Sequence, residues 1–263
     1  MTTTERQLDT ADLTERVKGM YREVALHPDD DFHFETGRPL AERLGYPVVD
    51  LDRVPAAAID SFAGVGYFLD LAAISPGEVV LDLGSGSGTD SFLAALAVGE
   101  AGSAIGVDMT AEQLTKATNL ATDAGIANAE FRKGQIEDPP VEADSVDCVI
   151  SNGVINLSPD KPAVFAAAAT ALRPGGRLAI ADIVSARQLP EGVTCDASLW
   201  AACIGGAMQR DLYREAIESA GFEILAMRDN DSYRFISDRA DNATRKYGVT
   251  SISLLARLQE RSG

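Results

Sequence analysis

The sequence predicts an α/β fold in which a mostly parallel, doubly wound sheet is covered by helices on both faces. Short apolar segments recur from residue 79 onward, roughly 20 to 30 residues apart, and helix-patterned stretches separate them. The segments are apolar on both alternating faces, which is typical of strands that are buried on both sides. Strands that alternate with helices in this way form parallel sheets, because each helix is the crossover between two strands.

Five of these segments are predicted strands, and two more strand candidates follow them. In chain order the five read VVLDLG, SAIGVDM, AEFRKG, VDCVISN and RLAIADIV. A helix is predicted over 210–220, after which residues 223–228 and 250–257 are strand candidates. The sequence between those two candidates shows no helix of crossover length, so we expect an antiparallel pair at one edge of the sheet.

The residues before the sheet are predicted to form an N-terminal arm. Residues 13–26 have helical spacing, and the polar, acidic stretch 27–40 is predicted to be irregular. We therefore divide the chain into an arm with a helix, residues 1–55, and one α/β domain, residues 56–263. Within that domain the strand and helix pattern loosens over about 186–210, and this segment is the candidate for a cap over a substrate.

Composition and charge exclude several classes of partner. The chain carries 40 acidic and 23 basic residues, for a formal net charge of -17, whereas nucleic-acid binding requires clustered Lys and Arg. The longest stretch without a charged residue, 197–209, is shorter than the roughly 18 to 20 residues that a membrane span needs. We expect a small-molecule substrate, with no nucleic-acid and no membrane partner.

Cysteine and histidine usage bears on the compartment and on metals. The sequence starts with neither the basic nor the apolar segment of a secretory signal. Its 3 Cys are an odd number, which favours reduced thiols and a cytoplasmic protein. With only 2 His and no C-x-x-C spacing, we expect no bound metal ion.

The strongest functional signal is the segment VVLDLGSGSGTD, residues 79–90. A predicted strand runs into Gly84, Gly86 and Gly88, where the missing Cβ lets the backbone turn tightly and approach a ligand. Asp108 ends the next predicted strand, and an acid at that place can accept hydrogen bonds from ribose hydroxyls. The loop and the acid together predict a nucleoside-binding site.

The spacing of the loop distinguishes between nucleoside ligands. The dinucleotide fingerprint G-x-G-x-x-G would need glycine where Thr89 stands, and the G-K-[ST] of a phosphate-binding P-loop is absent. No Tyr is followed four residues later by Lys, as it is in short-chain dehydrogenases. Asp82, beside the loop, would oppose a pyrophosphate but suits a ligand that carries an ammonium and a sulfonium group. These features favour S-adenosylmethionine over NAD.

The motifs resemble those of the class I S-adenosylmethionine-dependent methyltransferases over residues 75–228. LDLGSGSG is similar to the first motif of the family, VISNGVINL to the fourth, and LRPGGRLAIAD, residues 172–182, to the fifth. The resemblance implies a Rossmann-like sheet of seven strands with an antiparallel last strand. It also implies that S-adenosylmethionine is the cofactor.

The resemblance implies roles for individual residues as well. Asp108 would hold the ribose, and Met109 and Ile136 would sandwich the adenine, whose polar edge would meet a neighbouring acid or amide. Asn152 and Asn156 would face the methyl-transfer site. The residues implied to bind the cofactor are Asp82, Gly84, Ser85, Gly86, Asp108, Met109, Gln135, Ile136, Glu137 and Asn152.

Four segments are similar to the branch of this family that contains the arsenite methyltransferases: GVDMT, EDPPVEADSVD, VISNGVINLSPDK and LWAACIGGAM. In that branch three cysteine thiolates hold trivalent arsenic, and soft ligands suit a soft element. Cys203 falls on one of these positions and is the implied substrate thiolate. The other two positions carry Val65 and Ile252 or a neighbour of Ile252, so the matching positions do not supply three thiolates. Cys195 is close enough in sequence to approach Cys203.

The predicted function is methyl transfer from S-adenosylmethionine to a small soft nucleophile, such as an arsenite-like metalloid, a methylated arsenical or a thiol. No general base is obligatory when the nucleophile is a thiolate or arsenite. Two alternatives stay open: a protein that binds S-adenosylmethionine without transferring methyl groups, and a small-molecule O-, N- or C-methyltransferase. Cys148 is predicted to be a core residue because it lies inside a buried strand, and Trp200 is predicted to line the substrate pocket.

Overall fold

The computed structural model describes residues 10–194, 200, 204–236 and 238–260. The helices in these ranges are α1 Thr10–Leu26, α2 Gly37–Leu44, α3 Val48–Leu51, α4 Ala56–Asp60, α5 Leu69–Ala72, α6 Thr89–Val98, α7 Ala111–Ala124, α8 Lys161–Ala171, α9 Glu191–Thr194, α10 Arg210–Ser219 and α11 Asp238–Tyr247. A 3₁₀ turn covers Ile155–Leu157. Across the described ranges, none of the helices is both long enough and apolar enough to span a membrane.

The strands form a single sheet in the order β3-β2-β1-β4-β5-β8-β7. Their bounds are β1 Val79–Leu83, β2 Ser103–Asp108, β3 Ala129–Lys133, β4 Val146–Asn152, β5 Leu172–Ser185, β6 Met208–Gln209, β7 Phe222–Asp229 and β8 Val249–Leu258. Strands β1 to β5 are parallel, and Leu81 of β1 lies opposite both Ile105 of β2 and Val149 of β4. Strand β8 is antiparallel to both β5 and β7.

This order confirms the predicted doubly wound α/β sheet of seven strands with an antiparallel last strand. One further strand, β6, pairs only Met208 and Gln209 with the end of β5. The sequence could not indicate it, because two residues are too few to show a periodicity.

Alternate strand positions fill two separate apolar cores. Val80 and Ala179 belong to one cluster, whereas their neighbours Leu81 and Leu178 belong to the other. Successive strand residues point to opposite faces of a sheet, so both faces need apolar side chains. Cys148 of β4 is fully buried in the first cluster, which confirms the prediction of a core residue.

The N-terminal segment is more helical than the sequence predicts. Helix α1 matches the predicted helix, but α2 begins at Gly37, inside the stretch 27–40 that is predicted to be irregular. Gly45, which has a left-handed φ of 103°, follows Leu44 and caps the C-terminus of α2. A third apolar cluster, which includes Leu40 of α2 and Phe92 of α6, packs this segment against the helices beside the sheet.

Two glycines, one exposed on α1 and one packed between β2 and β3, give a matched test of how closely the chain is packed at each position. A Cβ at Gly19, on the exposed face of α1, would meet nothing within 4 Å, whereas a Cβ at Gly106 in β2 would lie 2.6 Å from the Phe131 ring. We expect Gly19→Ala to raise the free energy of unfolding by roughly 0.5 to 1 kcal/mol, since Ala is the better helix former. Gly106→Ala should lower it by roughly 1 to 3 kcal/mol through overpacking. Urea unfolding measures both, and an unchanged Gly106→Ala protein would contradict the close approach of β2 and β3.

Candidate functional site

A cleft lies at the carboxyl ends of β1, β2 and β4, where ligands bind in doubly wound sheets. It contains about 1030 Å³ of space outside the protein atoms, part of which is open to solvent. Its walls come from the loop after β1, the end of β2, the turn after β3, the end of β4 and helix α1. The cleft therefore brings together segments that are far apart in the sequence.

The loop after β1 lines the cleft, and its backbone geometry requires glycine. Gly84, Gly86 and Gly88 have φ values of 78°, 52° and 96°, which side-chain-bearing residues rarely adopt. A Cβ at Gly84 would also lie 2.5 Å from the Val154 side chain. Ser85 is buried between the first two glycines and lines the cleft with them. The predicted ligand loop is thus placed directly before the N-terminus of α6, a favourable place for polar ligand groups.

Asp108 ends β2 and joins that strand to the glycine loop. One carboxylate oxygen accepts a hydrogen bond from the Gly86 amide at 3.0 Å, and the other accepts one from the Thr110 amide at 2.7 Å. Burial raises the pKa of Asp108, and these two bonds oppose the rise. The carboxylate is therefore held on the cleft wall where the sequence predicts an acid for the ribose.

The residues predicted to meet the adenine also lie on the cleft wall. Met109 follows β2, and Gln135, Ile136 and Glu137 follow β3. The Ser158 hydroxyl donates a hydrogen bond to Glu137, so the turn after β3 is tied to the segment after β4. The structure brings these four predicted residues into the same cleft as Asp108.

The side-chain amide of Asn152, at the end of β4, connects four segments around the cleft. Its Oδ1 accepts a hydrogen bond from the Val65 amide at 2.7 Å, and its Nδ2 donates to the Gly66 carbonyl at 3.0 Å. The same Nδ2 lies 2.9 Å from the Tyr46 hydroxyl and 3.1 Å from an Asp90 carboxylate oxygen. Asn152 lines the cleft and at the same time fixes the loop that contains Val65.

Asp90 and Tyr46 belong to the site, and the sequence analysis missed both. The Tyr46 hydroxyl donates to Asp90 at 2.6 Å, and both residues are buried. Burial raises the pKa of Asp90 to about 6, while the hydrogen bonds from Tyr46 and Asn152 oppose the rise. The position of Asp90 in the first turn of a predicted helix was a possible signal. Nothing in the sequence pairs it with Tyr46, which follows α2.

Asp82 does not lie on the cleft wall, although the sequence predicts that it contacts the cofactor. It is 3% exposed and accepts a hydrogen bond from the Ser91 hydroxyl at 2.6 Å. Burial, followed by the negative charge of Asp90, raises the pKa of Asp82 to about 8. In the described part of the chain, no Lys or Arg forms an ion pair with Asp82, Asp90 or Asp108. This cluster of carboxyl groups favours a positively charged ligand.

The other residues predicted to act in methyl transfer are not on the described cleft wall. Asn156 is buried, and its backbone N–H donates a hydrogen bond to the Asp182 carboxylate at 3.2 Å. Cys203 and Cys195 lie outside the described residues. Trp200, the predicted pocket wall, is 5% exposed and packs in an apolar core cluster.

Val65 and Ile252, at the positions where the resemblance implies thiolates, lie on adjacent segments of the fold. Val65 is 1% exposed and Ile252 is 0% exposed. The Val65 carbonyl accepts a hydrogen bond from the Ser251 hydroxyl at 2.6 Å, which joins the loop to β8. The two apolar side chains nevertheless pack in different core clusters, so they do not face one common site.

Helix α1 forms one wall of the cleft, so the N-terminal arm covers part of the site. Its lining residues are Leu13, Thr14, Val17 and Tyr21. Side chains of the domain donate to main-chain carbonyls near the end of α1: Gln113 to Tyr21 at 2.8 Å, Ser61 to Val24 at 2.9 Å and Lys116 to Ala25 at 3.1 Å. The apolar spacing of α1 indicated a buried face, but it did not indicate what that face covers.

Comparison with known proteins identifies the family. A family model described as a methyltransferase domain matches residues 74–221. The crystal structure of an arsenic(III) S-adenosylmethionine methyltransferase from Chlamydomonas reinhardtii is 30% identical, with a TM-score of 0.63 over 86% of this chain and 75% of that chain. This chain belongs to the S-adenosylmethionine-dependent methyltransferases. S-adenosylmethionine is the methyl donor of this family, and the resemblance found in the motifs is confirmed.

Two curated relatives lie in the arsenite methyltransferase branch of the family. The arsenite methyltransferase of Halobacterium salinarum is 43% identical over 219 residues, which are 82% of this chain and 56% of the relative. That of Aquipseudomonas alcaligenes is 43% identical over 164 residues, which are 60% of this chain and 47% of the relative. The chain thus spans about half the length of the curated relatives that it matches.

The buried carboxyl groups predict how the stability of the ligand-free protein depends on pH. The pKa of Asp82 is about 8 and that of Asp90 about 6, both above the ordinary value of 3.8. Between about pH 4 and pH 8 the folded protein therefore binds more protons than the unfolded chain. Its free energy of unfolding falls as the pH rises through this range. Asp82→Asn should flatten this dependence and be more stable than the wild type at pH 8 by more than about 1 kcal/mol.

Urea unfolding at pH 5 and pH 8 measures this effect. Asp123→Asn, at an exposed position on α7, is the matched control and should follow the wild type at both pH values. An Asp82→Asn protein whose stability changes with pH as much as that of the control would contradict the raised pKa of Asp82.

Proposed function

We propose that this protein transfers a methyl group from S-adenosylmethionine to a small soft nucleophile, with arsenite, a methylated arsenical or a thiol as the substrate. The observation that carries the proposal is the single cleft in which the glycine loop, Asp108 and the residues after β3 meet. The arsenite methyltransferases among the relatives support the choice of substrate class.

The cleft residues suggest how the methyl donor lies. The ribose hydroxyls would donate to Asp108, and the adenine would lie between Met109 and Ile136. The methionine part would then extend along the glycine loop toward Asn152 and Asp90. This direction places the sulfonium and ammonium groups of the donor near the acidic cluster, where their charges are stabilised.

The protein contributes to the reaction mainly by positioning the nucleophile against the methyl group and by excluding water. A lone pair of a thiolate sulfur or of trivalent arsenic forms the new bond to the sulfonium methyl, while the old carbon–sulfur bond breaks and its electron pair stays on the sulfur of S-adenosylhomocysteine. A thiol acceptor has then lost its proton to solvent, and an arsenic acceptor passes from the trivalent to the pentavalent state. The protein holds the nucleophile and the methyl group in line at roughly 3 to 3.5 Å. Helix α1 supplies an apolar wall, with Leu13 and Val17, that excludes water from the donor.

Cys203 remains the proposed substrate thiolate, with Asn152 and Asn156 proposed to act near the methyl group. Asn152 would orient the loop that faces the nucleophile. Asn156 would act through the position of its turn, since its side chain is not on the cleft wall. We also propose the division into an arm, residues 1–55, and a domain, residues 56–263, with the cap at about 186–210. A cytoplasmic location and the absence of a nucleic-acid partner are proposals based on composition.

Isothermal titration tests the donor site. The wild type should bind S-adenosylmethionine and S-adenosylhomocysteine more tightly than NAD. Asp108→Asn should weaken both preferred ligands by roughly 10- to 100-fold, because hydrogen bonds to a charged carboxylate are lost. Asp123→Asn is the exposed control and should bind as the wild type does. Tighter binding of NAD would contradict the proposal and favour an oxidoreductase.

A radiolabelled methyl-donor assay tests the transfer step. Arsenite, methylarsenite and small thiols are the acceptors, and we expect turnover of at least one of them. Cys203→Ser should lower that turnover by more than about tenfold, since a hydroxyl is a poor ligand for a soft element. Asp123→Asn, at an exposed position on α7, is the control and should turn over the acceptor as the wild type does.

The outcomes of this assay separate the alternatives. Donor binding without turnover of any acceptor would favour a binding protein. Turnover only of oxygen, nitrogen or carbon acceptors would favour a different small-molecule methyltransferase. If Cys203→Ser leaves arsenical turnover unchanged, the proposed thiolate role is wrong.

A further inference from the structure

We propose that Lys161 is a positioning residue that holds the turn Ile155–Leu157 and the ring of Trp200 together, and so couples the cap to the wall of the donor cleft. The coupling rests on the proposed function, because it concerns the same donor site. Lys161 ends the segment VISNGVINLSPDK, and Trp200, Gly205 and Gly206 lie in LWAACIGGAM, but the resemblance of these segments implies no contact between them. The geometry of this junction of four residues can be judged without knowing the acceptor.

Lys161 is buried at the start of α8, and its ammonium group has specific partners. The residue is 4% exposed. Its Nζ donates to the carbonyls of Asn156 at 3.1 Å and Ser158 at 2.9 Å. An ammonium group has three hydrogens, and Nζ lies 5.2 Å from the centroid of the Trp200 ring. One cation therefore contacts the middle of the turn, the residue that follows the turn and the face of an indole.

The groups around Lys161 balance its charge. The carboxylates of Asp182 on β5 and Glu137 after β3 favour the charged form, while burial is the larger effect and lowers the pKa of Lys161 to about 8. The Tyr213 hydroxyl of α10 donates to Asp182 at 2.6 Å. Burial raises the pKa of Asp182 to about 6 and that of Tyr213 well above its usual range. Lys161 therefore loses its proton at a higher pH than Asp182 and at a lower pH than Tyr213.

Two glycines complete the junction from the side of the cap. A Cβ at Gly206 would lie 1.8 Å from the Asn156 carbonyl oxygen and 2.7 Å from the Trp200 ring. A Cβ at Gly205 would lie 2.3 Å from the same ring. Any side chain at these positions would separate the cap from the turn. The Trp200 ring is thus packed between the Lys161 ammonium group and the backbone of the two glycines.

The turn that Lys161 holds is continuous with the donor cleft. Leu157 and Ser158 line the cleft, and the Ser158 hydroxyl donates to Glu137 on the side predicted to bind adenine. A shift of the turn would therefore move Glu137. Loss of the Lys161 charge would therefore change the position of Glu137 at the donor site and the contact with Trp200 in the cap.

The fluorescence of Trp200 tests the junction, because the chain has 1 Trp. In the wild type we expect the emission intensity to change between pH 7 and pH 9 with a midpoint near 8, as the cation beside the indole is lost. Lys161→Met keeps most of the unbranched side chain and removes the charge, so its emission should not titrate in this range. Lys133→Met, at an exposed position in β3, is the control and should titrate as the wild type does.

Binding of S-adenosylhomocysteine at pH 7 tests the coupling to the cleft. We expect Lys161→Met to weaken binding by about tenfold and Lys133→Met to leave it unchanged. Circular dichroism checks that each variant is folded, and the wild-type pH titration needs no variant. Emission that does not titrate in the wild type, or that titrates equally in Lys161→Met, would overturn the junction.

Two further results separate this inference from the proposed function. Unchanged affinity in Lys161→Met with the expected emission titration would overturn the coupling and leave the methyltransferase proposal intact. A wild type that binds neither S-adenosylhomocysteine nor S-adenosylmethionine would overturn both the coupling and the proposed function. The pH titration of Trp200 emission would still test the contact between Lys161 and Trp200.

Discussion

The geometry of the cleft depends on the hydrogen bonds of the Asn152 side chain. β4 lies next to β1 in the sheet, so a side chain at its carboxyl end is placed by the most buried part of the fold. Its amide then holds the loop at Val65, the hydroxyl of Tyr46 and the carboxylate of Asp90. A buried amide that lost these partners would leave polar groups unsatisfied, which is costly. The arm, the loop and α6 therefore take up one arrangement around β4.

The charge distribution around this amide suits a cationic ligand. Asp82, Asp90 and Asp108 lie close enough for the charges of Asp90 and Asp108 to raise the pKa of Asp82. Without a cation, part of this charge is neutralised by bound protons. A bound sulfonium and ammonium would stabilise the ionised carboxylates, so the protein would release protons when the donor binds. The acidic excess of the whole chain, a net charge of -17, is thus also found around the cleft where we propose that the donor binds.

Features that depend on neighbours in sequence could be predicted, and features that depend on distant contacts could not. The strand, glycine loop and helix at residues 79–98 are a continuous pattern, and Asp108 ends a strand of clear periodicity. Asp90 and Tyr46 are 44 residues apart, and no local pattern pairs them. Lys161 is a harder case, because a cation at the N-terminus of a helix is normally unfavourable and exposed. Its burial depends on two carbonyls and on the carboxylates of Asp182 and Glu137, which come from other elements.

The attachment of α1 has a consequence for how freely its sequence can vary. The domain contacts the end of this helix through the carbonyls of residues 21, 24 and 25, and every amino acid carries such a carbonyl. Exposed side chains on the helix can therefore be exchanged without loss of these three hydrogen bonds. The donors, Gln113, Ser61 and Lys116, have no such freedom. Substitutions that loosen the arm should thus be found at these donors and at buried residues of α1 such as Leu13 and Val17, but not at its exposed positions.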